Sequence, residues 1–264
     1  MDMQTAWNQI SAYLTDEGLQ PDRCEMYGPW SPPEEELDLL GNVAGRDILE
    51  IGCGAGQCSI ALARQGARVT GLDISPNQLA VARDNARRAR ADITWLQSRA
   101  EQMIELTDAT FDLILAAYVL PYVADLPKAF REMARVLRPG GRLIATLDHP
   151  LRTIFYDEED EEPVGFPQRS YFDRRPLRWP YSGADVMLAS RHLPLADWLD
   201  LGRAAGLELA RVVEPTPPQD LLDELWPEDD PRAPLRLLPQ AVIFIMRKPR
   251  LGIDTRTHPG TDAG

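Results

Sequence analysis

Lysine is nearly missing: only Lys128 and Lys248 stand among 28 basic side chains, the rest being arginine. We read that skew as a coding bias rather than as chemistry. Against 41 acidic residues it leaves a formal net charge of −13, which argues against a sequence-independent grip on nucleic-acid phosphate. Cysteine is scarce too. Cys24, Cys53 and Cys58 form neither an even disulfide framework nor a zinc spacing, so no metal site is expected and a reducing, cytoplasmic setting is. No run approaches the roughly 18 consecutive apolar residues of a membrane span. The opening "MDMQTAWNQISAYL" lacks the basic start and apolar run of a secretory signal.

What is present is a globular composition, 44% hydrophobic over 264 residues, enough for one large domain with a real core. Trp7, Ile10, Tyr13 and Leu14 share one helical face in an amphipathic helix over 3–17. In "WSPPEEELDLLGNV", Ser31 precedes two prolines and Glu34 follows three residues on, a capping box that predicts a helix to about 42. Residues 1–44 thus read as a helical cap.

From 47 to 148 strands and helices alternate. "DILEI", "RVTGLD", "ITWLQ", "FDLILAA" and "RLIATLD" are the strands, which implies parallel βαβ units in a doubly wound sheet. The pattern then dissolves. Residues 151–190 mix an acidic run, prolines and aromatics without a period, as expected of a binding loop or lid on the acceptor side. A helix and two strands, the last "AVIFIMRKP", complete a domain over 45–250, and 251–264 read as a disordered tail.

The turn "EIGCGAGQ" joins a buried strand to a helix N-terminus, where free N–H groups and the helix dipole meet polar ligand atoms. Its glycines are spaced G-x-G-x-G, with Gln57 where a dinucleotide fold has its third glycine, and no phosphate-loop Lys follows. Asp73, at the tip of the next strand, can accept both hydroxyls of a ribose. Together these imply an adenosine ligand without requiring a pyrophosphate.

The stretches "LEIGCGAGQCSIALARQGARVTGLDIS", "FDLILAAYVLPYV" and "VLRPGGRLIATL" together resemble the class I S-adenosylmethionine-dependent methyltransferases, nearest to the ubiquinone/menaquinone-biosynthesis-like small-molecule branch. The likeness covers about 45–148 well. It implies a Rossmann-like sheet of seven strands, the last antiparallel, with N-terminal helices and an insertion after the fifth strand. S-adenosyl-L-methionine is the implied cofactor, with Glu50, Gly52 and Gly54 against its methionine part, Asp73 on the ribose and Ile74 on the adenine. In "QSRAEQM", Arg99 stands where the family has an acidic residue for the adenine amino group, and Ala100 matches the small residue after it. Arginine accepts no hydrogen bond, so Glu101 substitutes or Arg99 faces water. Ala116 is expected beside the reactive end of the cofactor.

The implied reaction is methyl transfer to O, N or C of a small organic acceptor, chiefly a matter of alignment. His149, in "TLDHP" at the carboxyl edge of the sheet, reads either as a general base or as a structural hydrogen-bonding group; His192 reads as structural. Tyr118 and Tyr122 line the acceptor pocket or hold the nucleophile, or simply pack. Tyr27 and Trp30 close over the cofactor or simply pack on apolar surface, and Tyr171, Phe172 and Trp179 are expected to roof the acceptor. Cys53 reads as a small turn residue. Two other classes stay open: a catalytically silent cofactor-binding sensor or subunit, and a nicotinamide oxidoreductase, which the glycine spacing disfavours. Composition and spacing leave the oligomeric state open.

Overall fold

The structure, a computed structural model, describes residues 2–16, 24–181 and 183–250; the expected disordered tail lies outside the described residues. Helix α1 (Met3–Asp16) and a single turn α2 (Glu34–Leu37) precede the sheet. Strand and helix then alternate through β1 (Asp47–Ile51), α3 (Gln57–Arg64), β2 (Arg68–Asp73), α4 (Pro76–Ala89) and β3 (Ile93–Gln97). Next come β4 (Phe111–Ala117), α5 (Leu126–Val136) and β5 (Leu137–Asp148). The insertion holds α6 (Pro150–Thr153) and two small ribbons, β6 (Tyr156–Asp157) with β7 (Glu162–Pro163) and β8 (Leu177–Pro180) with β9 (Met187–Ser190). The chain returns through α7 (Leu195–Ala204), β10 (Glu208–Val213), α8 (Gln219–Leu225) and β11 (Ala241–Arg247).

The sheet has seven strands in the order β10-β11-β5-β4-β1-β2-β3. Pairs from β5 to β3 are parallel, and β11 runs antiparallel between β5 and β10. This is the expected Rossmann-like arrangement, with the last strand in sequence as the antiparallel one. Successive side chains of a strand point to opposite faces, and here both faces are buried. Leu49, Ile114, Leu143 and Phe244 face α5 and α7, while Ile48, Leu113, Ile144 and Ile243 face the other core with Leu62. Strand order reverses between β1 and β4, and such a switch point opens a crevice at the strands' carboxyl ends.

Two readings are corrected. The helix expected from Ser31 to about 42 is only the turn Glu34–Leu37. Ser31 Oγ donates to the Tyr27 carbonyl instead of capping, and the Glu34 carboxylate accepts from the N–H groups of Leu39 and Leu40 (3.0 and 2.7 Å). Asp38, left-handed at φ 45°, ends the helix there. Second, Cys24 and Cys58 form a disulfide, which removes the cysteine-based argument for a reducing compartment. Among the described residues no helix is long and apolar enough to cross a membrane.

Candidate cofactor and acceptor site

A cavity of about 400 Å³ opens at the switch point, walled by the turn after β1, the tip of β2, the segments after β3 and β4, and α1. The turn is tied to β2: Gly52 and Cys53 donate to the Leu72 carbonyl (2.8 and 3.0 Å), and Gly54 N donates to Asp73 Oδ2 (2.9 Å). Gly52 is left-handed at φ +70°, and a Cβ there would sit 2.7 Å from Val119 Cγ2. Gly56, at φ +82°, would place a Cβ 2.6 Å from Trp95, so it sets how closely α3 packs on the sheet. Around Gly54 a Cβ would meet only Gln78 Oε1, at 3.9 Å, and that face is open to the cavity. Side-chain-free backbone is therefore turned toward a ligand.

Asp73 is nearly buried, and its two oxygens accept from Gly54 N and Ser75 N (2.9 and 2.8 Å). Burial raises its pKa, and the backbone donors pull the other way. Each oxygen keeps acceptor capacity toward the cavity. Ile74, Arg99, Ala100 and Glu101 line the same space with Gly52, Gly54, Tyr118 and Tyr122, so that with Asp73 nine of the residues singled out in the sequence converge. The Arg99 guanidinium lies 4.0 Å from Glu101, a loose pairing.

Four singled-out residues lie elsewhere. Glu50 sits beneath the turn, where its carboxylate accepts from the Ser59 hydroxyl and burial pushes its pKa up to about 7. Tyr27 is buried in the core against β1, its hydroxyl donating to Glu34 (2.5 Å). Ala116 is a fully buried core residue, and its neighbour Ala117 reaches the cavity. His149, 1% exposed, caps α6. Its Nδ1 accepts from Leu151 N (3.1 Å) and its Nε2 meets Glu214 Oε1 (2.9 Å). That geometry fixes the Nε2–H tautomer and uses the lone pair a base would need. Burial also lowers its pKa, keeping the ring neutral. His149 thus stands off the cavity wall with both ring nitrogens engaged.

Tyr118 follows β4 with a left-handed backbone, φ 55°. Such a conformation in a bulky residue costs energy that the surroundings must hold. Its ring packs so tightly on Gly28 that a Cβ there would lie 2.0 Å from it. Its hydroxyl is buried and has no partner among the described residues. Tyr118 and Tyr122 also line a second, much smaller pocket, about 20 Å³, whose polar groups are Asp148, Thr153, Ser190, Arg191 and His192. His192 bonds Thr153 Oγ1 (2.7 Å) and the Tyr171 carbonyl (2.9 Å), so both ring nitrogens are engaged.

Among the cavity residues that composition and spacing had not marked for the site are Trp7, Gln78 and Val119. Trp7 stands edge-on to Tyr122 (5.6 Å) and Tyr181 (6.4 Å), and Trp179 packs in the same cluster, closing α1 against the insertion. The apolar stripe of α1 carried that signal. Of the other aromatics, Trp30 stacks on Trp226 with the Arg152 guanidinium over its ring, Tyr171 braces α7 through Leu195 N, and Phe172 faces solvent. Burial holds the Cys53 thiol protonated, in keeping with a turn residue.

Residues 49–145 match the family model of a methyltransferase domain. Over 117 residues the chain is 38% identical to a demethylmenaquinone methyltransferase of Tropheryma whipplei, covering 44% of this chain and 48% of the relative. Over 105 residues it is 36% identical to a ubiquinone biosynthesis O-methyltransferase of Alkalilimnicola ehrlichii, covering 40% and 42%. The chain thus spans about half the length of the curated relatives it matches. A solved S-adenosylmethionine dependent methyltransferase from Mesorhizobium loti is similar in fold, with a TM-score of 0.63 at 24% identity over 80% of this chain and 94% of that one.

Proposed function

We propose that the chain, whose residues 49–145 match a methyltransferase domain, is a class I S-adenosylmethionine-dependent methyltransferase with S-adenosyl-L-methionine as cofactor, and that it methylates a small organic acceptor at O, N or C. The cavity's own groups fit the cofactor. Gly54 offers bare backbone, Asp73 offers unsaturated acceptors, and Ile74 and Ala100 offer apolar walls for a purine. When bound, the cofactor supplies a methyl group on a positively charged sulfur.

The observation that carries the acceptor reading is Tyr118: a strained backbone holding a buried, unpartnered hydroxyl where the cofactor cavity meets the smaller polar pocket. Buried polar atoms are nearly always satisfied, so a free one at a cavity wall marks where a ligand atom belongs. In our reading Tyr118 orients the acceptor's nucleophilic end, and Trp7, Trp179 and Tyr181 keep water away. The ring nitrogens of His149 and His192 are all committed, so in this reading proximity and alignment carry the reaction without either as a base. The names of the relatives, demethylmenaquinone and ubiquinone biosynthesis methyltransferases, make small ring compounds with an apolar tail the first acceptors to try.

The test is incubation with isotopically labelled methyl donor and a panel of small molecules, comparing the unaltered chain with Tyr118→Phe. Label should enter a small molecule, and the variant should lower kcat with unchanged cofactor affinity. Label confined to protein or nucleic acid would overturn the reading.

A further inference from the structure

Strand β10 stands at one end of the sheet and is paired on one side only, with β11. Its neighbour β11 is buried from Ala241 to Met246, yet β10 is exposed from Glu208 to Val212, Leu209 by 48% and Val212 by 38%. A bulge sorts the side chains of this strand. Leu209 lies opposite Met246 and Arg211 opposite Ile245, so Ala210 is the extra residue. Directly opposite residues of an antiparallel pair point to the same face. Leu209 and Val212 therefore share the α7 face with Met246 and Phe244, while Glu208 and Arg211 share the other face with Ile245. Without the bulge, positions three apart would fall on opposite faces. Neither Glu208 nor Arg211 has an ion-pair partner among the described residues, Arg247 opposite Glu208 included.

An unpaired edge invites another strand, and charge of one sign along it ordinarily keeps a second copy away. Here the two charges have opposite signs, stand three positions apart and share a face. Laid antiparallel on itself, the strand sets Glu208 against the partner's Arg211 and, by two-fold symmetry, Arg211 against the partner's Glu208. It is the one antiparallel register that pairs both charges. In it Leu209 falls opposite the partner's Ala210 and diagonal to the partner's Val212, so the apolar face closes on itself as well. We propose that β10 is a homodimer interface, joining two seven-stranded sheets edge to edge in this register. Complementarity of the strand to itself favours a second copy over an unrelated partner, and the open edge supplies the backbone hydrogen bonds. The cofactor cavity lies at β1 and β4, with β5 and β11 between it and this edge. Association therefore leaves both cavities open and does not depend on what they bind.

Sedimentation equilibrium on the full chain, over a concentration series at constant salt, should show a monomer–dimer equilibrium. Glu208→Arg and Arg211→Glu each set like charges opposite one another twice, and each should weaken the dimer by about tenfold or more. The double variant reverses both pairs and should recover the affinity of the unaltered chain to within about twofold. Melting temperatures at the lowest concentration, where the chain is monomeric, should agree among all four proteins, because both side chains are exposed. Hydrogen exchange on the unaltered chain adds a measurement that needs no variant. Amides of β10 should gain protection as concentration rises, and those of β3, at the opposite end of the sheet, should not. A monomer at every concentration would overturn the proposal. So would a dimer that both single variants leave intact, or a double variant as weak as the singles. Protection that rises elsewhere but not at β10 would place the dimer on another face and overturn it too.

Discussion

At β1 and β2 the strands end in short turns whose backbone lines the cavity, whereas after β5 a long insertion runs from His149 to Pro194 before α7 begins. The first region faces the cavity with glycine backbone and a carboxylate held by two N–H groups. The second meets it with side chains borrowed from several segments: Tyr118 after β4, Thr153 on α6, His192 before α7 and Trp7 from α1. A backbone-built site tolerates little change and belongs to a constant ligand. A side-chain-built one can be altered residue by residue, which suits the part of the molecule that chooses the acceptor.

If that contrast is right, substitutions on the two sides separate cofactor binding from turnover. The largest effect belongs to Asp73→Ala, which should weaken S-adenosylhomocysteine by about 1.5–3 kcal/mol in calorimetry, the scale for hydrogen bonds to a charged group. It should also lower the melting temperature, because Gly54 and Ser75 lose an acceptor. An affinity equal to that of the unaltered chain would break the comparison at its stronger end.

Next comes Glu50, which belongs to the cofactor side without touching the cavity. Burial raises its pKa in the folded protein to about 7 from an ordinary 4.5. Between those values the folded state holds a proton that the unfolded state has released, so stability falls as pH rises through the window and the full penalty applies above it. Glu50→Gln keeps a hydrogen-bonding partner for Ser59 and removes the titration. It should stabilise the chain by up to about 3 kcal/mol at pH 8 and by almost nothing at pH 4, read from denaturant midpoints. A gain that does not depend on pH would show that ionisation is not the cause.

Smaller again is His149→Ala. It removes the α6 cap and the Glu214 partner, and should cost about 1 kcal/mol of stability while leaving the pH dependence of turnover unchanged. A lost limb in the pH–rate profile would return His149 to the chemistry. The smallest effect on folding is expected of Tyr118→Phe: a change within about 1 kcal/mol, upward, because an unpartnered hydroxyl leaves the interior.

What could be read before the structure follows the same division. The strand–turn–helix rhythm, the glycine spacing and Asp73 are local patterns, each contained in a few consecutive residues, and they place the cofactor side. The acceptor side depends on contacts between residues far apart in the chain, such as Trp7 with Tyr181 or His149 with Glu214, which no window of sequence displays. The capping box at Ser31 shows the same limit at close range. Its residues have the right spacing, yet Glu34 bonds forward to Leu39 and Leu40 and back to Tyr27, and the helix stops.

The Cys24–Cys58 bond changes what kind of object the polymer is. It closes a covalent ring over a sequence separation of 34, and the whole glycine turn lies on that ring. A ring has fewer shapes to wander through when unfolded than an open chain, a restriction of about 4 kcal/mol for this circumference in the chain-entropy account. Backbone scission between residues 25 and 57 would therefore divide the peptide without dividing the molecule, the fragments staying yoked through sulfur until a thiol releases them.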